Sequence, residues 1–222
     1  QDVNKVLQVI KKWEIRGEGK KSNADRPLEP EEYVYMMNAL SHQRGANRLE
    51  LVRHPCMFAY QVHMIGRLDD VAKLKESWIK AHPQHDFLLS SRLPWSKNVT
   101  NKHQSPWQVV VGEDDWQLCV HLWLAKFLEI ACERGMFVTS QFVFVETGDT
   151  PEKLKSCICR SLKNNLLKAS EFKAIYEQTG RALHKDDDNA NAKLGAHSNR
   201  KYAKTRPLCH SNCNEKEVDW RG

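Results

Sequence analysis

The spacing of apolar residues switches between helical and strand periods along this chain, and that switching limits the fold more than any other feature of the sequence. Toward both ends apolar side chains recur every three or four positions, as on one helix face: Val3, Leu7 and Ile10 do so behind Asp2, a good N-cap. Pro30 with Glu31 and Glu32 opens a helix to about Ser41, the proline in the first turn and the acids against the positive end of the dipole. Arg48 to His63 reads as a second helical stretch, interrupted at Pro55 and broken by Gly66; Leu68, Val71, Leu74 and Lys75 give a third, with Arg67 at its entrance. Then the period shortens. Phe87-Leu88-Leu89 and Trp107 to Val111 are strand-like, and the polar stretch between them holds Pro94, Lys97, Asn98, Asn101, Lys102 and Pro106, which predicts an antiparallel hairpin with a long, basic tip.

Helical spacing returns over Asp115 to Glu133, with Leu118, Leu122, Ala125, Leu128 and Cys132 on one stripe. Phe137 to Val145 reads as a further strand, ended by Gly148 and Asp149. Pro151 opens a helix carrying Leu154, Ile158, Leu162 and Leu166, and Ser170 caps a shorter one to about Thr179. Residues 181–196 read as loop, and helix resumes from His197 at least to Thr205. The expected fold is mainly α with a small antiparallel β-hairpin or sheet, an α+β class.

A chain of 222 residues can bury one sizeable core, and no apolar run approaches the roughly 20 residues of a membrane span. It begins at Gln1 without a basic-then-apolar leader, as expected of a processed product or a piece excised from a longer reading frame. Residues 1–26, which turn polar from Arg16 with Gly17 and Gly19, are expected to close an N-terminal DNA-binding domain or to link to it, leaving 27–222 as the main domain. The net charge of +6 is uneven: residues 1–150 carry 19 basic and 19 acidic side chains, residues 151–222 carry 15 and 9. A basic face suited to a polyanion is therefore expected in the last third. Seven cysteines in no regular framework point to a reducing, intracellular compartment. Cys157 and Cys159 read as packing residues; Cys209, His210 and Cys213 look like half of a zinc site, without a second pair at finger spacing.

Three groups of residues carry chemistry. His197 and Arg200 stand three apart on a helix, where an imidazole and a guanidinium can address one anion. Gly66-Arg67-Leu68-Asp69-Asp70 sets an arginine at a helix start with an acid three residues on. Leu93-Pro94-Trp95-Ser96-Lys97-Asn98-Val99 places a lysine in the hairpin tip.

An early arginine, a hairpin lysine and a late His-x-x-Arg, in this order, resemble the catalytic domain of tyrosine recombinases, the DNA breaking-rejoining enzymes. The Trp95 to Val99 string, the Val111-Gly112 step before the Asp115 helix, and the closing Val218-Asp219-Trp220-Arg221-Gly222 are similar to the eukaryotic, Crypton-like transposon branch. The resemblance runs from about Asp25 to Gly222. It implies strand cleavage by transesterification through a 3′-phosphotyrosine, with no metal and no cofactor. Cations preorganised around the phosphorane supply the stabilisation.

By matched position, Arg67 and Arg200 would hold the non-bridging oxygens and His197 would assist proton handling. Lys97, or Lys102 in its place, would protonate the leaving 5′ oxygen, and Asp70 would orient Arg67 or brace its helix. Lys102, Lys201 and Lys204 would add DNA contacts. Double-stranded DNA, a synaptic homo-oligomer (a tetramer) and the nucleus follow as expected partners and location.

The family's nucleophilic tyrosine would follow Gly222, so the chain as given is expected to be inactive in cleavage. Tyr202, two residues after Arg200, is expected to pack rather than react. Ala196 and Asn199 stand where the family usually has threonine and an apolar residue, Pro207 interrupts the last helix, and Asn212 replaces a glycine. These departures fit the alternative, a DNA-binding module that kept the fold and lost the reaction. An all-helical RNA-binding protein is a third reading, without an aromatic strand platform to support it.

Overall fold

The computed structural model describes residues 27–93, 105–162 and 195–210. The expectations for residues 1–26, for Lys97, Lys102 and the rest of the hairpin tip, for the helix from Ser170 to Thr179, for the loop before Gly195, and for Cys213 and Val218 to Gly222 lie outside these residues. The described chain is mostly helical with one small antiparallel sheet. Its elements are α1 (Pro30–Ser41), α2 (Arg48–Met64), α3 (Leu68–Ala72), β1 (Ile79–His82), β2 (His85–Ser91), β3 (Gln108–Val110), α4 (Val120–Glu133), α5 (Met136–Thr139), α6 (Pro151–Ser161) and α7 (Ala196–His210).

Helix α2 is the centre. An Asn47/Glu50 capping box starts it, with Glu50 N–H donating to Asn47 Oδ1 at 3.0 Å and Asn47 N–H to Glu50 Oε2 at 3.1 Å. From Arg53 to Val62 every residue is buried, so the helix is packed on all sides by α1, α4 and α7. That burial explains why Pro55 does not interrupt α2, as the sequence suggested. One lost backbone bond, at about 3 kcal/mol, is smaller than what continuous packing supplies. Pro207 likewise lies within α7.

The sheet has the order β1-β2-β3, both pairs antiparallel, with Ile79 opposite Ser91 and Leu89 opposite Val110. The expected hairpin is thus β2–β3, and β1 joins it through a tight turn at Pro83-Gln84 that the sequence reading missed. Val110 and Ser91 face the core, where the Tyr60 hydroxyl bonds to Ser91 Oγ and Ser91 Oγ donates to the Trp78 carbonyl at 2.9 Å.

Three further expectations are corrected. Phe137 to Val145 is not a strand: Met136–Thr139 is helical, and Val143, Phe144 and Val145 are buried in succession rather than alternately. Side chains satisfy that segment's carbonyls, Arg53 at Phe144 O and Ser140 Oγ at Phe142 O. The helix expected from Asp115 begins at Val120, because Tyr33 and His63 take the Gln117 and Leu118 carbonyls that a longer helix would use. Its core-facing stripe is Val120, Trp123, Leu124, Phe127, Ile130 and Ala131, while Ala125, Leu128 and Cys132 are exposed; the aromatic side has more area to remove from water. No described helix is long and apolar enough to cross a membrane.

The buried histidines make stability depend on pH. Burial, reinforced by the neighbouring Arg53 charge, lowers His54 to about 4, and burial also lowers His63. An unfolded chain takes up these protons near pH 6.5, whereas the folded chain takes up the His54 proton only near pH 4, so stability is present above pH 6.5 and is lost as pH falls toward 4. Urea titrations at pH 7 and pH 4 are expected to show a loss of about 3 kcal/mol from His54 alone, and His54→Gln should flatten that dependence.

Candidate functional site

The site begins where α2 ends. Ile65 closes the helix in the left-handed region at φ 48°, ψ 27°, its N–H and that of Gly66 turning back to the Val62 and Gln61 carbonyls, a Schellman arrangement. Glycine normally occupies such a position; a β-branched residue there holds strain of about 1–3 kcal/mol. The glycine stands one residue later for another reason. A Cβ on Gly66 would lie 2.5 Å from Leu93 Cδ1, so the last described residue before the hairpin tip packs directly on the turn.

Arg67 follows, half-buried at the start of α3, and its backbone N–H donates to Asp70 Oδ2 at 3.2 Å. Asp70 therefore braces its helix. Lys155 to Asp69 at 2.8 Å and Lys73 to Glu152 at 3.2 Å tie α3 to α6.

Arg200 arrives from α7. It is 9% exposed, and its Nε donates to the Ile65 carbonyl at 3.1 Å. The Asp70 carboxyl registers both arginines. Burial raises its pKa, while the bond from Arg67 and the charges of Arg67 and Arg200 pull it back down. The structure thus brings Arg67, Asp70 and Arg200 to one corner, with Leu93, four residues before Lys97, seated on it. His197 lies one turn before Arg200 on the exposed side of α7, and Lys201 and Lys204 are half-buried on the same helix.

The second half of α7 is fixed separately. Arg206 forms a two-point ion pair with Glu113, at 3.1 and 3.3 Å. Tyr202 is buried and stacks on Tyr33 with ring centroids 4.9 Å apart, so it packs as expected. His63 Nε2 lies 4.0 Å from Glu113, but burial lowers its pKa and keeps it neutral at pH 7, which leaves Arg206 as the carboxylate's partner. Among the described residues no three His, Cys, Asp or Glu side chains gather as a metal site, and Cys157 and Cys159 are half-buried on α6.

Sequence reasoning missed the Ile65 turn, the Gly66–Leu93 contact and the amide pair of Gln61 and Asn199. Gly66 was visible only as a helix breaker; its close neighbour is far away in sequence. No protein-family model matches the chain, and no characterised protein matches it in sequence.

Gly66→Ala is expected to destabilise the fold by about 1–3 kcal/mol in chemical denaturation, because Leu93 is itself buried and has little room to yield. Adding Leu93→Ala should restore part of that loss; simple addition of the two single losses would refute the contact as its cause.

Proposed function

We propose that this chain is the DNA-binding core of a tyrosine-recombinase-type strand transferase, acting on double-stranded DNA as a homo-oligomer in the nucleus. The observation that supports it most is that Arg200, remote in sequence, bonds to the Ile65 carbonyl two residues before Arg67, whose backbone N–H bonds to Asp70, and that both arginine charges act on that carboxylate. Two guanidiniums at one corner suit a phosphodiester, whose non-bridging oxygens accept planar paired donors.

In this reading Arg67 and Arg200 bind those oxygens and stabilise the charge that grows on them as the phosphorane forms. Asp70 holds the start of α3 and offsets part of the positive charge when no DNA is bound. His197, on the exposed side of α7, serves proton transfer at the attacking oxygen, and Lys97, or Lys102, protonates the leaving 5′ oxygen. Lys201 and Lys204 add backbone contacts that set position rather than sequence. The attacking tyrosine is not Tyr202, which is held against Tyr33.

The second reading is a binding module without strand cleavage, in line with the departures from the family's pattern at Ala196 and Asn199. Full-length protein incubated with a nicked duplex separates the two: an SDS-resistant protein–DNA adduct formed in EDTA supports the transferase, and tight binding without adduct supports the module.

Binding itself is tested on the chain as it stands. Fluorescence anisotropy with duplex DNA should show log affinity falling linearly with log salt, by about 0.9 per phosphate contacted. Arg67→Ala and Arg200→Ala should each reduce that slope by about 1 while leaving most of the affinity. Slopes unchanged in both variants would reject the phosphate role.

A further inference from the structure

The face that α7 lays on α2 is polar for a buried contact. Ser198, Asn199 and Arg200 are buried there, and among the described side chains of α7 Tyr202 and Ala203 are the buried apolar ones. Interlocking apolar side chains ordinarily decide how far along its partner a helix sits, and the described side chains of α7, residues 196–206, offer few of them. What it presents is an amide. Asn199 Nδ2 donates to the Phe58 carbonyl at 3.2 Å and to Gln61 Oε1 at 2.9 Å, and Gln61 Nε2 donates to the Ala196 carbonyl at 3.4 Å. Both side chains are wholly buried.

We propose that Gln61 and Asn199 are positioning residues that set the register of α7 on α2 and thereby hold the Arg200 guanidinium at the Ile65 carbonyl. The role matters for function through the reading of Arg200 as a phosphate-binding group. A slip of one residue moves a helix by about 1.5 Å and turns it by about 100°, which carries Arg200 away from Ile65 and leaves the buried amide donors without acceptors. The register is therefore selected as one discrete state. The pair is not arranged for stability alone, since Asn199 Oδ1 has no partner. Buried polar residues that sacrifice stability to specify register are known in coiled coils, where a core asparagine does the same.

The test needs no DNA. In NMR spectra of the whole chain, the Arg200 Nε–H bonded to Ile65 O gives a protected side-chain resonance, and the Asp70 carboxyl titration senses the Arg200 charge. In the double variant Gln61→Leu/Asn199→Leu, which leaves no buried amide unsatisfied, the Arg200 resonance should lose its protection and the Asp70 midpoint should move further up. The exchanged pair, Gln61→Asn/Asn199→Gln, should keep both near wild type. A folded leucine variant with the Arg200 resonance and Asp70 titration unchanged overturns the proposal. Should that variant not fold, Asn199→Ala decides by the same two readouts, a retained Arg200 signal overturning the proposal and a lost one supporting it. Loss of the Arg200 signal with duplex affinity unchanged would count against the phosphate reading and not against the register role.

Discussion

One hydrogen bond, from Arg200 Nε to the carbonyl of Ile65, joins the last described helix to the corner on which the candidate site is built. That carbonyl is available because Ile65 turns the chain left-handed at the end of α2. The same turn exposes the small surface of Gly66 to Leu93 and hands Arg67 on to the start of α3. An arginine from each end of the domain and the base of the β2–β3 connection are therefore fixed by a few consecutive backbone positions.

The packing around this corner keeps those positions from relaxing. α2 is buried along most of its length, so its C-terminal turn cannot shift without disturbing α1, α4 and α7 together. The strain at Ile65 persists because the side chain is 2% exposed and locked in the core. Polar groups inside this core mostly have specific partners: Arg53 reaches Phe144 O and Glu146, His63 the Leu118 carbonyl, Gln61 and Asn199 each other. Such bonds add little net stability, but any displacement leaves a buried group unsatisfied, which favours one arrangement over its neighbours. A phosphate site assembled from distant segments requires that kind of single-valued geometry.

Much of the secondary structure was legible because local physics determined it. Pro30 with two acids marked α1, Pro151 marked α6, and the valines before Gly112 marked β3. The errors share a cause. Phe137 to Val145 and the start of α4 were misjudged because side chains of remote residues, Arg53, Tyr33 and His63, take backbone carbonyls that a local pattern assigns to strand or helix. The β1 strand has little β-propensity of its own and exists by pairing with β2. For the site, Arg67, Asp70 and Arg200 could be named from order and spacing. The Ile65 turn and the Asn199 amide could not, since one breaks the usual preference for glycine and the other is explained only by Gln61 across the helix interface.

The central claim is that Arg67 and Arg200 serve one phosphate, and a double-mutant cycle on duplex DNA affinity measures it most directly. Arg67→Ala, Arg200→Ala and the double variant are titrated at fixed salt, where groups that share a ligand atom couple and independent ones add. The account predicts a coupling of about 0.5–3 kcal/mol between the two substitutions. Losses that add to within about 0.3–0.5 kcal/mol would place the arginines on separate phosphates and contradict it.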